Sequence, residues 1–279
     1  MVKRTKKSDR KISNKKPKTD NKTTLQQSST LERFFTISKI SNKEKVKKIW
    51  DDLNDEKRFL LEDEYTQMHE DWLYLLKDEL VSEYYLNIKR QIASIESRGI
   101  DVLPQRNLRF RCFKTSPFDI SVVIVGQDPY PNDADGLAFS SETIKPSLKK
   151  IFNLLEWDIE DMKWSRPRIG SLEKWSKNVL LLNSILTVER GKSGSHSKLG
   201  WQKFTDKIIK LVGDKREVVT ILWGKYAKEK ASLVRNGHVI KSGHPSPLNR
   251  DRSFDNSRYF SLANEYLKKV NRKVIDWSL

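Results

Sequence analysis

Four short apolar runs constrain this chain most: VVIV (122–125), NVLLLN (178–183), VVTILWG (218–224) and HVIKSG (238–243). Each has the length of a strand. Between or beyond them lie amphipathic segments long enough for crossover helices: SLKKIFNLLEW, SLEKWSK, WQKFTDKIIKLV and KYAKEKASLVR. Near-continuous apolar strands alternating with helices predict an α/β fold of three layers, α/β/α, around a central, largely parallel four-stranded sheet.

Ahead of this region, Lys43 to about Ser97 has a helical pattern, with Trp72, Leu73, Leu75, Leu76, Leu80, Tyr84 and Leu86 spaced as core residues. Residues 1–30 hold almost no apolar side chains and cannot offset the entropy of ordering, which predicts disorder. We therefore divide the chain into a basic N-terminal tail, 1–42, and a folded domain, 43–279. The net charge is +17, and residues 1–22, with ten Lys or Arg and two Asp, carry +8 of it. The rest stays basic without its tail, which points either to a polyanionic partner or to solubility alone. One cysteine, Cys112, excludes an internal disulfide framework and fits a reducing, intracellular setting. No apolar run reaches the roughly 20 residues that span a bilayer, and the N-terminus is charged where a signal peptide is apolar. This predicts a soluble chain with no membrane partner. The four histidines, at 69, 196, 238 and 244, show no metal-ligand spacing.

In a parallel sheet all strands point one way, and ligands bind outside their carboxyl ends. The residues there are Gln127 and Asp128 after the first run, Asn183 closing the second, Gly224 and Lys225 after the third, and His244, Pro245, Ser246 and Pro247 after the fourth. Any one of these reads equally well as a cap or a surface residue. An acid, two amides and a base at corresponding positions read as a site. Gly126 is expected to turn the chain sharply at the sheet edge, between the strand and the stiff Pro129-Tyr130-Pro131.

GQDPYP followed by GLAFS, then NVLLLNSIL, SHSKLGWQKF, ILWGKYA, GHPSPL and a terminal VIDW resemble, in order and spacing, the family-1 uracil-DNA glycosylases. The resemblance runs from about Trp72 to the C-terminus. It implies base flipping and hydrolysis of the N-glycosidic bond of uracil in single- and double-stranded DNA, leaving an abasic site that initiates base excision repair. It also implies that the domain from residue 43 is catalytic, works without metal or cofactor, and acts as a monomer. Carried over by position, Asp128 stabilises the oxocarbenium-like sugar and activates water, and His244 donates to uracil O2. Phe139 stacks on the base and Asn183 pairs with O4 and N3–H. Tyr130 blocks a 5-methyl group, and the backbone beside Gln127 assists at O2. Ser147 and Ser246 contact phosphates, with Arg252 as a further partner, and Leu248 fills the vacated stack. Ser147 also reads as an ordinary helix cap. The block containing His196 is placed near the site.

Three departures touch DNA handling. Pro131 replaces a histidine, and the loop to GLAFS is two residues shorter than in the common cellular form, both reminiscent of the poxvirus branch. The loop before Ser147 keeps only Pro146, with Lys145 beside it, and Lys225 stands where a phosphate-contacting serine is usual. In the tail, Leu31, Phe34 and Phe35 of SSTLERFF share one face of a helical turn, with Ser28 at the glutamine position of a sliding-clamp docking motif. That segment docks on a clamp or packs on its own domain. KRTKK and KKPK resemble a bipartite nuclear-import signal, which places the protein in the nucleus, or at a site of viral DNA replication if its source is a large DNA virus. The reading from another class is a non-catalytic, glycosylase-like DNA-holding or processivity subunit. A nucleotide-binding α/β protein is disfavoured by the lack of a GxxxxGK[ST] loop.

Overall fold

The computed structural model describes residues 42–159, 165–255 and 257–279. Helices α1 (Asn42–Asp51), α2 (Asp55–Gln67), α3 (Glu70–Leu75), α4 (Lys77–Leu80) and α5 (Glu83–Ser97) come first. Local chemistry sets their starts: the Asn54 side chain accepts the Lys57 N–H ahead of α2, and His69 Nδ1 accepts the Asp71 N–H ahead of α3. The strands and helices that follow are β1 (Val102–Leu103), β2 (Val122–Gly126), α6 (Pro146–Asp158), β3 (Val179–Asn183), β4 (Val188–Glu189), α7 (Trp201–Gly213), β5 (Val219–Trp223), α8 (Gly224–Glu229), β6 (His238–Ser242) and α9 (Tyr259–Lys269). Among the described residues no helix is long and apolar enough to cross a membrane.

The four apolar runs pair as β3-β2-β5-β6, all parallel. Every residue of β2, β3 and β5 is buried whichever way it points, as a sheet covered on both faces requires. Burial of each Val, Ile or Leu contributes about 1.5–3 kcal/mol. Two aromatic clusters carry much of the packing. Tyr85, Phe110, Phe113, Trp201 and Phe204 form one, and Trp175, Trp223, Phe254, Tyr259, Phe260 and Trp277 the other.

Four local expectations are corrected. SLEKWSK, expected as a crossover helix, makes one 3-10 turn, Glu173–Lys177. The strand at Val179 leaves it no length, and Trp175 is fixed there by donating Nε1–H to the Trp277 carbonyl at 2.9 Å. KYAKEKASLVR splits into α8 and a 3-10 turn, Lys230–Leu233. Tyr85 rather than Tyr84 enters the core, and Leu75 is only half-buried. A short antiparallel pair, β1 with β4, joins the helical half to the segment after β3 and had no signature of its own.

Candidate active site

The rim is built where β2 and β3 end in register, Gly126 opposite Asn183. A Cβ on Gly126 would stand 2.2 Å from Asn183 Oδ1 and 3.0 Å from Ala138 Cβ. The glycine is therefore there to admit the Asn183 amide. It is the last residue of an ordinary strand and does not turn the chain, which corrects the expectation from sequence. The polypeptide past Asn183 is tied down by Ser184 N–H to Gly126 O at 3.0 Å and Ile185 N–H to Gln127 O at 2.9 Å. Asn183 is 8 % exposed, and among the described residues no protein group hydrogen-bonds its amide. A buried amide of that kind offers a donor and an acceptor to a ligand.

Phe139 is also buried, and it holds φ at 63°, a left-handed conformation that an aromatic residue adopts only under constraint. The constraint is Asp135, which sequence reasoning missed. Its carboxylate accepts Ser140 Oγ at 2.6 Å, Leu137 N–H at 3.2 Å and Arg111 Nη1 at 3.1 Å. Burial pushes the Asp135 carboxyl up, against Ser140 and Arg111, which favour its charge. A buried acid one residue before a glycine in NDADGL was the available signal. The Phe139 ring meets Trp223 edge-on, centroids 5.3 Å apart, and lies 5.9 Å from the His244 ring.

Gly224, at φ +86°, lets the chain pass His244: a Cβ there would be 2.9 Å from the histidine Cβ. The Ser246 N–H donates to His244 Nδ1 at 3.0 Å, so Nδ1 is an acceptor and the proton of the neutral ring sits on Nε2. Burial lowers the His244 pKa, favouring this neutral form. Half-buried Asp128 turns Oδ2 to a loop that sequence reasoning did not single out, accepting Gly194 N–H at 2.9 Å and Ser193 Oγ at 3.2 Å. Only the glycines of GKSGS hinted at such a close approach.

A cavity of about 310 Å³ opens between these elements, walled by Gln127, Phe139, Trp223, Gly224, Lys225 and His244 among others. Asp128, Tyr130 and Asn183 do not line it, although Asn183 abuts its wall at Gly126. Tyr130 packs on Leu103, Ala134 and Val188, and burial pushes its hydroxyl up to about 12. Ser147 is not the cap of α6. Lys145 holds that position, Pro146 follows, and Ser147 lies inside the first turn. On the β6 side, Ser246 Oγ accepts the Leu248 N–H at 3.2 Å and Asn249 Nδ2 donates to the Asp251 carbonyl at 2.7 Å. This rigid turn leaves Leu248 92 % exposed, with Arg252 exposed beside buried Phe254. His196 is buried: Thr187 Oγ1 accepts from Trp201 Nε1 and faces His196 Nδ1, both at 2.8 Å. Among the described residues no group of three or more His, Cys, Asp or Glu could hold a metal ion. Leu31, Phe34 and Phe35 lie outside the described residues.

Residues 113–268 match the family model of the uracil DNA glycosylase superfamily. The uracil-DNA glycosylase of Campylobacter jejuni subsp. jejuni serotype O:6 is 43 % identical over 223 residues, 76 % of this chain and 95 % of that one. This chain belongs to the uracil-DNA glycosylase superfamily. The Anoxybacillus flavithermus uracil-DNA glycosylase is 42 % identical over 219 residues, 75 % of this chain and 96 % of that one. The crystal structure of mimivirus uracil-DNA glycosylase superposes with a TM-score of 0.70 at 26 % identity, covering 78 % of this chain and 89 % of that one. The parallel sheet and its flanking helices are thus the superfamily's fold.

Proposed function

We propose that Asp128 and His244 divide between them the chemistry by which this superfamily member excises uracil from DNA. As the C1′–N1 bond breaks, positive charge grows on the sugar and negative charge on the departing base. Asp128, its Oδ2 occupied by Gly194 and Ser193, faces the sugar with the other oxygen and takes a proton from the attacking water. His244 donates Nε2–H to uracil O2 as the anion forms. Neutral His244 carries this reading: Ser246 fixes its tautomer, burial favours its uncharged form, and it lines the cavity beside the Phe139 ring, 5.9 Å away.

Extruding the base from a duplex costs a few kcal/mol, and exposed Leu248 on its rigid turn fills the gap. Phe139 stacks on the flipped base, and the backbone at Gln127 stands beside O2. Asn183 reads O4 and N3–H; cytosine reverses that pattern and leaves buried groups unpaired. Tyr130 excludes the 5-methyl of thymine. Ser147, Ser246, Lys225 and Arg252 hold phosphates on single- or double-stranded DNA, and the domain acts as a monomer. A purely DNA-holding role is not favoured, because the relatives are named as glycosylases.

Asp128→Asn should lose about 10²- to 10⁴-fold and His244→Leu about 10²- to 10³-fold in turnover while still binding DNA. Unchanged release of uracil from a single-stranded oligonucleotide by either variant overturns the assignment. For the tail we infer clamp docking through Leu31, Phe34 and Phe35, and nuclear import through KRTKK and KKPK, or residence at a viral replication site. The bacterial relatives have no nucleus, so import is tested by moving residues 1–22 onto a reporter in eukaryotic cells. Clamp binding that survives the double change Phe34→Ala and Phe35→Ala ends the docking idea.

A further inference from the structure

The loop that carries Tyr130 out from β2 and returns through Ser147 into α6 is cross-linked between its two arms. Ala134 bridges Ser141, and Ser140 Oγ donates to Asp135. Beyond these, towards Tyr130, lies a charged rung. Asp133 Oδ2 accepts Lys145 Nζ at 2.7 Å, Thr143 Oγ1 at 2.6 Å and the Thr143 N–H at 3.4 Å. The same Lys145 ammonium sits over the Tyr130 ring, 5.7 Å from its centroid. It is tied on one side to a mostly buried carboxylate and on the other caps an aromatic face.

Lys145 directly precedes Pro146, the first residue of α6, so its side chain leaves the returning arm just where the helix begins. The tyrosine ring is gripped by Leu103, Ala134 and Val188 on the apolar side and by this cation on the other. We propose that the Asp133–Lys145 pair is the positioning device that holds Tyr130 as a rigid barrier, and so sets the discrimination of uracil from thymine in this chain. Neither residue touches the base. They act through the ring, because a barrier that yields by an ångström admits a methyl group.

The proposal rests on the reading of Tyr130 as the barrier, so the experiment separates the two. Release of base from matched single-stranded oligonucleotides carrying uracil or thymine is measured for the wild type, Tyr130→Ala, Lys145→Met, Asp133→Asn and Lys145→Arg. Lys145→Met and Asp133→Asn should raise the thymine-to-uracil ratio of kcat/KM about tenfold, the size expected of residues coupled in one network. Uracil turnover should stay within about threefold of wild type. Lys145→Arg, which keeps the charge, should restore discrimination. A ratio unchanged in both disrupting variants while Tyr130→Ala raises it overturns the positioning role alone. If Tyr130→Ala also leaves the ratio unchanged, the barrier reading falls and takes the proposal with it. Circular dichroism melts verify that each variant is folded, and Asp133→Asn, equal in shape to the native side chain, carries the test if Lys145→Met is unstable.

Discussion

Replacing Gly126 with alanine tests the site through one methyl group. The new Cβ would sit 2.2 Å from Asn183 Oδ1, closer than real contacts allow, and 3.0 Å from Ala138 Cβ, a tight contact. The backbone has little freedom to yield, because β2 and β3 are in register and the Ala138 N–H is bonded to the Leu181 carbonyl at 3.0 Å. The Asn183 amide must therefore rotate. Two hydrogen bonds to the base are then lost, each costing about 1–3 kcal/mol when its buried partner is left unsatisfied. Together that is about 2–6 kcal/mol, or a fall of roughly 30- to 10⁴-fold in kcat/KM on single-stranded uracil DNA. The crowding itself should cost about 1–3 kcal/mol of stability, at about 2–4 °C of Tm per kcal/mol. Steady-state kinetics and a thermal melt measure both. With Asn183→Ala in place the 2.2 Å clash is gone and only the tight contact with Ala138 remains, so the double variant should stay within about tenfold of Asn183→Ala alone. Gly126→Ala within threefold of wild type, or a double variant more than tenfold below Asn183→Ala, refutes the reasoning.

Leu248→Ala should leave the Tm within about 1 °C, since an exposed side chain has little packing to lose. It should lower kcat/KM on duplex DNA about tenfold or more and spare single strands, because only the duplex needs the stack refilled; an equal loss on both removes Leu248 as the wedge. Lys225→Ser should reduce the slope of log affinity against log salt by about 0.7–0.9, the share of one phosphate contact. A slope unchanged in a filter-binding titration takes Lys225 out of the phosphate set. Burial lowers the pKa of His244, so below about pH 6.5 the unfolded imidazole gains a proton that the folded one resists. The stability of the wild type relative to His244→Gln should therefore fall between pH 7.5 and pH 5.5 in urea titrations, and a constant or rising difference contradicts it.

The sheet was legible because β2, β3 and β5 are buried on both faces, so their sequences read as unbroken apolar runs with no competing pattern. The residues at the strand ends were legible for the same reason: a parallel sheet brings its carboxyl ends together without further information. The reach failed where burial depends on partners distant in sequence. Nothing local distinguishes Tyr85 from Tyr84, and only the Glu64 carboxylate, which accepts the Tyr85 hydroxyl at 2.6 Å, shows which ring goes inward. Ser193 and Gly194 meet Asp128 across more than 60 residues of chain, and Asp135 reaches Arg111 across 24. In the sequence Gly126 suggests a sharp turn, because glycine permits conformations other residues avoid, whereas its reason lies in the Asn183 amide of the neighbouring strand.

These corrections share a direction. Asp128 and His244, proposed to do the chemistry, and Asn183, proposed to pair with the base, stand at the carboxyl ends of sheet strands, so their backbones are placed by the fold itself. The rings proposed to stack on the base and to bar a methyl group, Phe139 and Tyr130, ride on a loop that must be held by its own cross-links: Asp135 under a strained Phe139, and Asp133 with Lys145 beside Tyr130. A substitution in the sheet should therefore cost stability and turnover together. One in the loop's ion pair should change which base is cut while leaving the fold and the hydrolysis of uracil nearly intact.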